Sequence, residues 1–124
     1  MRLLFDTHVF LWIAEDSPRI RRDLRALIEG ADVRYVSLVS AWEVAINVGL
    51  RKLHFPVPFE PTIAAYGCQP LLISFDHVAA VSALPNHHRD PFDRLLIAQA
   101  HVEGLTIVSA DRHFGLYGVP LVAM

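Results

Sequence analysis

Leu3-Leu4-Phe5-Asp6-Thr7-His8 decides the fold. An apolar run, short enough to be a buried strand, stops at an acid and hands the chain to a helical segment. The same hand-over recurs. Glu43 follows Tyr35-Val36-Ser37-Leu38-Val39-Ser40, Asp111 follows Thr106-Ile107-Val108-Ser109, and Asp93 opens Asp93-Arg94-Leu95-Leu96-Ile97-Ala98-Gln99-Ala100. Strands that alternate with helices run parallel, and their carboxyl ends open on one edge of the sheet. Four carboxylates far apart in sequence then meet in one crevice. Like charges at close range cost about 4 kcal/mol at an effective dielectric of about 20, so a hard divalent cation is the expected companion.

The 124 residues, 53% of them hydrophobic, suit one domain spanning 1–124 with a sheet covered on both faces. No apolar stretch approaches the roughly 18 residues of a membrane span. The acid at position 6 leaves no room for a secretory signal. Cys68 is the sole cysteine, which excludes an internal disulfide and makes a poor zinc site. A cytoplasmic protein is expected. Eleven Lys and Arg against thirteen Asp and Glu give a charge of −2, without the basic excess of a dedicated nucleic-acid binder. Arg19, Arg21, Arg22 and Arg25 nevertheless form a local positive cluster.

The remaining elements follow from periodicity and punctuation. Strands are expected at 3–5, 33–37, 71–73 and 106–108, with a final edge strand at 119–122. Helices are expected at 7–14, 40–48 (stopped by Gly49), around 62–66, at 75–84 and at 91–103 (closed by Gly104). Another helix starts at Ser17-Pro18, carries Ile20, Leu24, Leu27 and Ile28, and ends at Gly30. A short turn covers 111–114.

Each acid also has a bland reading as a helix cap. Ser40-Ala41-Trp42-Glu43 matches the capping box, and Asp90-Pro91-Phe92-Asp93 places Asp90 at a cap with proline in the first turn. Ser40 and Asp90 then fill the caps and leave Glu43 and Asp93 free for other work. Asn47, four residues after Glu43, shares its face on an otherwise apolar helix. A buried ionised glutamate needs a cation or strong donors, so this stripe is expected to line the crevice.

The segment His87-His88-Arg89-Asp90-Pro91-Phe92-Asp93-Arg94-Leu95-Leu96-Ile97-Ala98-Gln99-Ala100 closely resembles the corresponding stretch of PIN-domain proteins, specifically the toxin ribonucleases of the VapC type. Leu3 to His8, Ser40 to Glu43, and Thr106 to Phe114 match that family's other acidic blocks in order. The resemblance covers residues 2–123. It implies a three-layer α/β/α sandwich with a mostly parallel central sheet. It maps Asp6, Glu43, Asp93 and Asp111 onto the family's metal-binding catalytic acids, with Thr7 and Ser109 where hydroxyls assist. It further implies a Mg²⁺ or Mn²⁺ cofactor, an RNA substrate cut to 5′-phosphate and 3′-hydroxyl ends, a cognate antitoxin and a homodimer.

Carboxylate oxygens without cysteine suit Mg²⁺ or Mn²⁺, which assist attack on a phosphodiester and offset charge in the transition state. Arg89, Arg94 and Arg112 adjoin the acids in sequence and are candidate phosphate contacts; ordinary surface arginines is the competing reading. His8 and His113 follow their acids by two positions and are further candidates to touch substrate. His87-His88 matches no metal-ligand spacing. Trp12 and Trp42 read as core, and a stacking role for Trp12 has no support in the sequence. Phe10, Leu11 and Ile13 are candidates for an antitoxin groove, or else core. Two other functions compete. An aspartyl-phosphate phosphatase wants a second Asp where His8 stands, and the acidic quartet argues against a non-catalytic binding module.

Overall fold

The computed structural model describes residues 1–55, 58–87 and 90–124. The elements run β1 (Arg2–Phe5), α1 (Thr7–Ala14), α2 (Arg22–Glu29), β2 (Val33–Ser37), α3 (Leu38–Gly49), α4 (Glu60–Ala65), β3 (Gln69–Leu71), α5 (Phe75–Val81), α6 (Pro91–Glu103), β4 (Thr106–Ser109), a 3-10 helix (Arg112–Tyr117) and β5 (Leu121–Ala123). The five strands form one sheet in the order β3-β2-β1-β4-β5. Every pairing is parallel, including that of β5 with β4. Successive side chains of a strand face opposite sides. Leu3 and Phe5 therefore enter one core with Phe10, Leu24, Val36, Val44 and Val108, while Leu4 joins Ile107, Leu96, Ile97 and Phe114 on the other face. Three layers result. Among the described residues, no helix is long and apolar enough to cross a membrane.

The chain moves outward from β1 through β2 to β3, then returns to place β4 and β5 on the opposite side of β1. The switch point lies between β1 and β4, and open parallel sheets bind ligands just beyond the carboxyl ends at such a point. Asp6 follows β1 directly, and its amide donates to the Val108 carbonyl of β4 at 3.0 Å.

Several local expectations shift. The helix expected from Ser17-Pro18 begins only at Arg22. The Ser17 hydroxyl instead accepts the Arg19 amide at 3.2 Å, making a turn that delivers Ile20 to the core before the helix starts. The third helix begins at Leu38 under a Ser37 cap, whose hydroxyl accepts the Val39 amide. Ser40 is therefore inside the first turn, and the expected capping box does not form. Gly49 does not stop that helix. Lys52 N–H bonds the Asn47 carbonyl and Arg51 N–H that of Val48, a Schellman closure with Arg51 in the left-handed position at φ 59°. Helix α1 ends the same way, with Asp16 at φ 52°. A left-handed residue with a Cβ carries roughly 1–2 kcal/mol of strain. Arg51→Gly is accordingly expected to raise stability by up to about 1 kcal/mol, net of glycine's own entropy cost, readable as a higher denaturant midpoint.

A buried polar chain fastens α6 to the sheet edge. Ser37 Oγ donates to Gln99 Oε1 at 2.6 Å, and Gln99 Nε2 lies 3.3 Å from His77 Nδ1. His77 Nδ1 accepts the Ser74 amide, which leaves Nε2 to meet Glu103 at 2.9 Å. Such a network is stabilising only when each member is satisfied, and here it fixes the orientation of the helix that carries Asp93.

Candidate functional site

Asp6 sits at the foot of α1, almost wholly buried, with its Oδ2 accepting from Ser109 Oγ at 2.7 Å. The same hydroxyl oxygen accepts the Asp111 amide at 2.9 Å, so one buried serine at the end of β4 ties both aspartates to the switch point. Burial raises the Asp6 carboxyl above its ordinary range, opposed by the Ser109 hydrogen bond and by His8. Asp111 caps the 3-10 helix: its Oδ1 accepts the His113 amide at 2.9 Å and meets His113 Nδ1 at 2.8 Å.

Glu43 faces the same place from α3. Thr7 Oγ1 and Ser40 Oγ are 2.8 Å apart and join α1 to α3. Burial again raises the Glu43 carboxyl; the Thr7 hydroxyl and His8 lower it, while the charges of Asp90 and Asp6 raise it further. Glu43 thus feels an acid from each of two other elements. Among the described residues, its Oε1 is buried and has no hydrogen-bond partner. An unmet buried carboxylate oxygen costs about 1–3 kcal/mol or more. A cleft of about 210 Å³ opens beside it, lined by Thr7, His8, Leu11, Glu43, Val44, Asn47, Lys52 and Leu53.

Asn47 supports Glu43 through the backbone, donating from Nδ2 to the Glu43 carbonyl at 2.9 Å. Asp93 lies in the first turn of α6, where Asp90 caps the Phe92 and Asp93 amides at 2.8 and 3.4 Å. The assignment of Asp90 as a cap agrees with this geometry, and its charge also reaches Glu43. Asp90→Ala is expected to cost about 1 kcal/mol of stability, measured by denaturant unfolding alongside activity. Lost activity at unchanged stability would instead make Asp90 part of the site.

The acids occupy one edge of the sheet, yet their side chains do not close on a point. Among the described residues, no group of three or more Asp, Glu, His or Cys stands ready to hold a metal ion. The donor set nevertheless fits a hard cation. It is all oxygen, it includes one buried carboxylate oxygen without a partner, and burial raises two of its carboxyls above their ordinary range.

The basic residues separate. Arg94 turns back on α5, donating to the carbonyls of Pro85 at 2.9 Å, Val81 at 3.3 Å and Leu84 at 3.4 Å. Arg112 is exposed beside Asp111. Arg89 and His88 lie outside the described residues, and His87 packs edge-on against Tyr117. Lys52 is a cleft residue that the sequence did not single out. It stands nine positions beyond Glu43, directly after the left-handed turn at Arg51, and lines the cleft wall. Phe10 and Leu11 are core rather than groove, whereas Ile13 lines a separate surface groove of about 290 Å³ with Ile20, Ile28 and Tyr66.

Solved structures with the same chain path include DNA-bound VapBC from Salmonella typhimurium, at TM-score 0.73 and 13% identity, covering 99% of this chain and 98% of that one. VapBC2 from Rickettsia felis, bound to a promoter DNA fragment, aligns at TM-score 0.72 and 14% identity with coverage of 99% and 98%. A toxin–antitoxin complex from Klebsiella pneumoniae aligns at TM-score 0.65 and 20% identity with coverage of 98% and 96%. No curated protein matches the chain. At these identities the likeness is one of fold. The family match is made on the sequence itself: with residues 3–119 matching the PIN domain, a span that runs from β1 past the 3-10 helix and includes all four acids, the chain belongs to the PIN-domain family.

Proposed function

We propose that the protein is a Mg²⁺- or Mn²⁺-dependent endoribonuclease, the toxin of a toxin–antitoxin pair. The observation that carries this reading is the orphaned Glu43 Oε1, buried at the wall of a cleft on the same sheet edge as Asp6. A buried carboxylate oxygen without a donor is costly, and a cation is what makes it tolerable. Asp6, Glu43, Asp93 and Asp111 are the proposed ligands, from four separate elements. When bound, the ion activates water and offsets charge on the phosphodiester in the transition state.

The chain's own residues prepare that chemistry. Ser109 holds Asp6 by one carboxylate oxygen. The Thr7–Ser40 pair locks α1 to α3, so the Asp6-to-Glu43 spacing does not drift. Asn47 steadies the Glu43 backbone. Lys52 and Arg112, exposed and near the acids, are the proposed phosphate contacts; Arg94 serves mainly to close α5. RNA is favoured over duplex DNA because a shallow crevice reaches the backbone of an unpaired strand.

A partner fits the reading as well. The Ile13, Ile20, Ile28 and Tyr66 groove offers an apolar seat flanked by Arg25 and Arg34 for a cognate antitoxin segment, and the solved Klebsiella pneumoniae neighbour is a toxin–antitoxin complex. Leu38, Trp42, Ile46, Leu72 and Phe75 are exposed around α3, β3 and the start of α5. Exposed apolar side chains of this size support a homodimer. Purified protein incubated with single-stranded RNA is expected to cut internally only when Mg²⁺ or Mn²⁺ is supplied, and mapped ends should carry 5′-phosphate. Cleavage undiminished in EDTA overturns the proposal.

A further inference from the structure

A second recess opens at the carboxyl ends of β4 and β5. It measures about 350 Å³ and is lined by Trp12, Pro18, Arg19, Arg21, Ala110 and Met124. Its place is fixed by the strands. Ala110 directly follows β4, and Met124 follows β5 and donates its amide to the Ser109 carbonyl at 3.1 Å. The recess therefore borders the serine that holds Asp6.

Its walls are prepared for a particular kind of ligand. The Arg19 guanidinium lies over the Trp12 ring, 4.9 Å from the centroid. Among the described residues it pairs with no carboxylate, and Arg21 reaches only an exposed Asp23 at 3.8 Å. The turn carrying both arginines is firmly held. Ser17 N–H bonds the Trp12 carbonyl at 2.8 Å, Ile20 N–H bonds the Ser17 carbonyl at 3.1 Å, and the Ile20 side chain is anchored in the core between the two arginines. His8 spans the gap to the Glu43 cleft, its ring 6.3 Å from Trp12 while it also lines that cleft.

We propose that this recess is a second subsite for the RNA strand, holding a nucleotide next to the scissile phosphate. The base stacks on the outer face of the Arg19 guanidinium, already seated on Trp12, and Arg21 takes the adjoining backbone phosphate. Stacking on aromatic and guanidinium planes is sequence-tolerant because every base has a π face. A guanidinium fixed in advance loses little freedom when a base arrives. The inference rests on the nuclease reading for its ligand class, and on the recess alone for its position.

The test is steady-state cleavage of a single-stranded RNA decamer by wild type and by the Arg19→Ala/Arg21→Ala double variant, both surface changes that spare the core. KM is expected to rise by about tenfold, the order of one lost stacked base and one phosphate contact, while kcat stays within about twofold and the melting temperature is unchanged. Arg19→Lys, which keeps charge but loses the planar stack, is expected to recover only part of that loss. Unchanged KM in a double variant that still cleaves removes the subsite and leaves the nuclease reading intact. A wild type that neither binds nor cleaves the decamer removes the nuclease reading itself. If decaglutamate competes with the decamer as strongly as unlabelled RNA does, the recess is only a charge trap and the subsite assignment falls.

Discussion

Asp6→Asn is expected to reduce RNA cleavage by about a thousandfold or more, since a cation's share of transition-state stabilisation is several kcal/mol and each 1.36 kcal/mol is a factor of ten in rate. The substitution keeps the side-chain shape, so the Ser109 contact at 2.7 Å can persist through the amide oxygen. What changes is charge at a residue that abuts both β4 and the base of α1. Loss of activity with an unaltered circular dichroism spectrum and thermal midpoint is the expected pair of results. Full activity in Mg²⁺ would remove Asp6 from the mechanism. The loss should also persist at high Mg²⁺, because the substitution removes a proposed buried ligand rather than weakening a surface attraction.

The second large effect concerns stability in the absence of divalent ions. Burial holds the Asp6 and Glu43 carboxyls above the ordinary values of 3.8 and 4.5. The folded state therefore retains protons that the unfolded chain releases. Stability from these two groups is fully present below the ordinary range, and it is lost as pH climbs from there through the raised folded values. Glu43→Gln removes one of them. In EDTA, the variant and wild type are expected to melt alike near pH 4, and the variant to melt higher at pH 7. Mg²⁺ at about a hundred times its dissociation constant should then raise the wild-type midpoint by about 10 °C, with a much smaller rise in Glu43→Gln. Equal Mg²⁺ responses in the two proteins would take Glu43 out of the metal site. The comparison between variants cancels the acid-sensitive behaviour of carboxyls remote from Glu43, leaving that of Glu43 and of Asp6 and Asp90, which couple to it.

The Glu43 environment also explains how a site and a cap can share a residue. Asp90 terminates α6 in the ordinary way, yet its charge is felt at Glu43 across the α3–α6 contact, where Trp42 and Phe92 meet edge to face at 4.8 Å. Helix starts concentrate acids for reasons of stability. When several such starts meet at one sheet edge, the same acids are available as the proposed ligands without extra sequence cost. Ser109 shows the converse economy: one hydroxyl supplies a donor to Asp6 and an acceptor to the Asp111 amide.

Residue periodicity alone determined the layers. The alternation of Leu3, Leu4 and Phe5 places them on opposite faces of the sheet, and the limits of α6 follow from the Asp90 cap, Pro91 and Gly104. Those signals are local, because a strand's period and a helix's cap depend on neighbours within a turn or two. The placement of Asp6 and Asp111 just after β1 and β4 was legible for the same reason, since strand ends can be read and parallel strands share an edge. Chain ends of helices were less legible where long-range packing overrode propensity. Gly49 looks like a stop, yet the backbone turns left-handed at Arg51 instead, and this carries Lys52 to the cleft wall. Ser40 looks like a cap, yet Ser37 caps and Ser40 is recruited by Thr7 from another helix. Ile20 looks like part of a helix, yet it anchors a turn that sets Arg19 over Trp12. Each of these outcomes turns on a contact between segments distant in the chain, whose free energy no local window contains; only the assembled tertiary structure decided them.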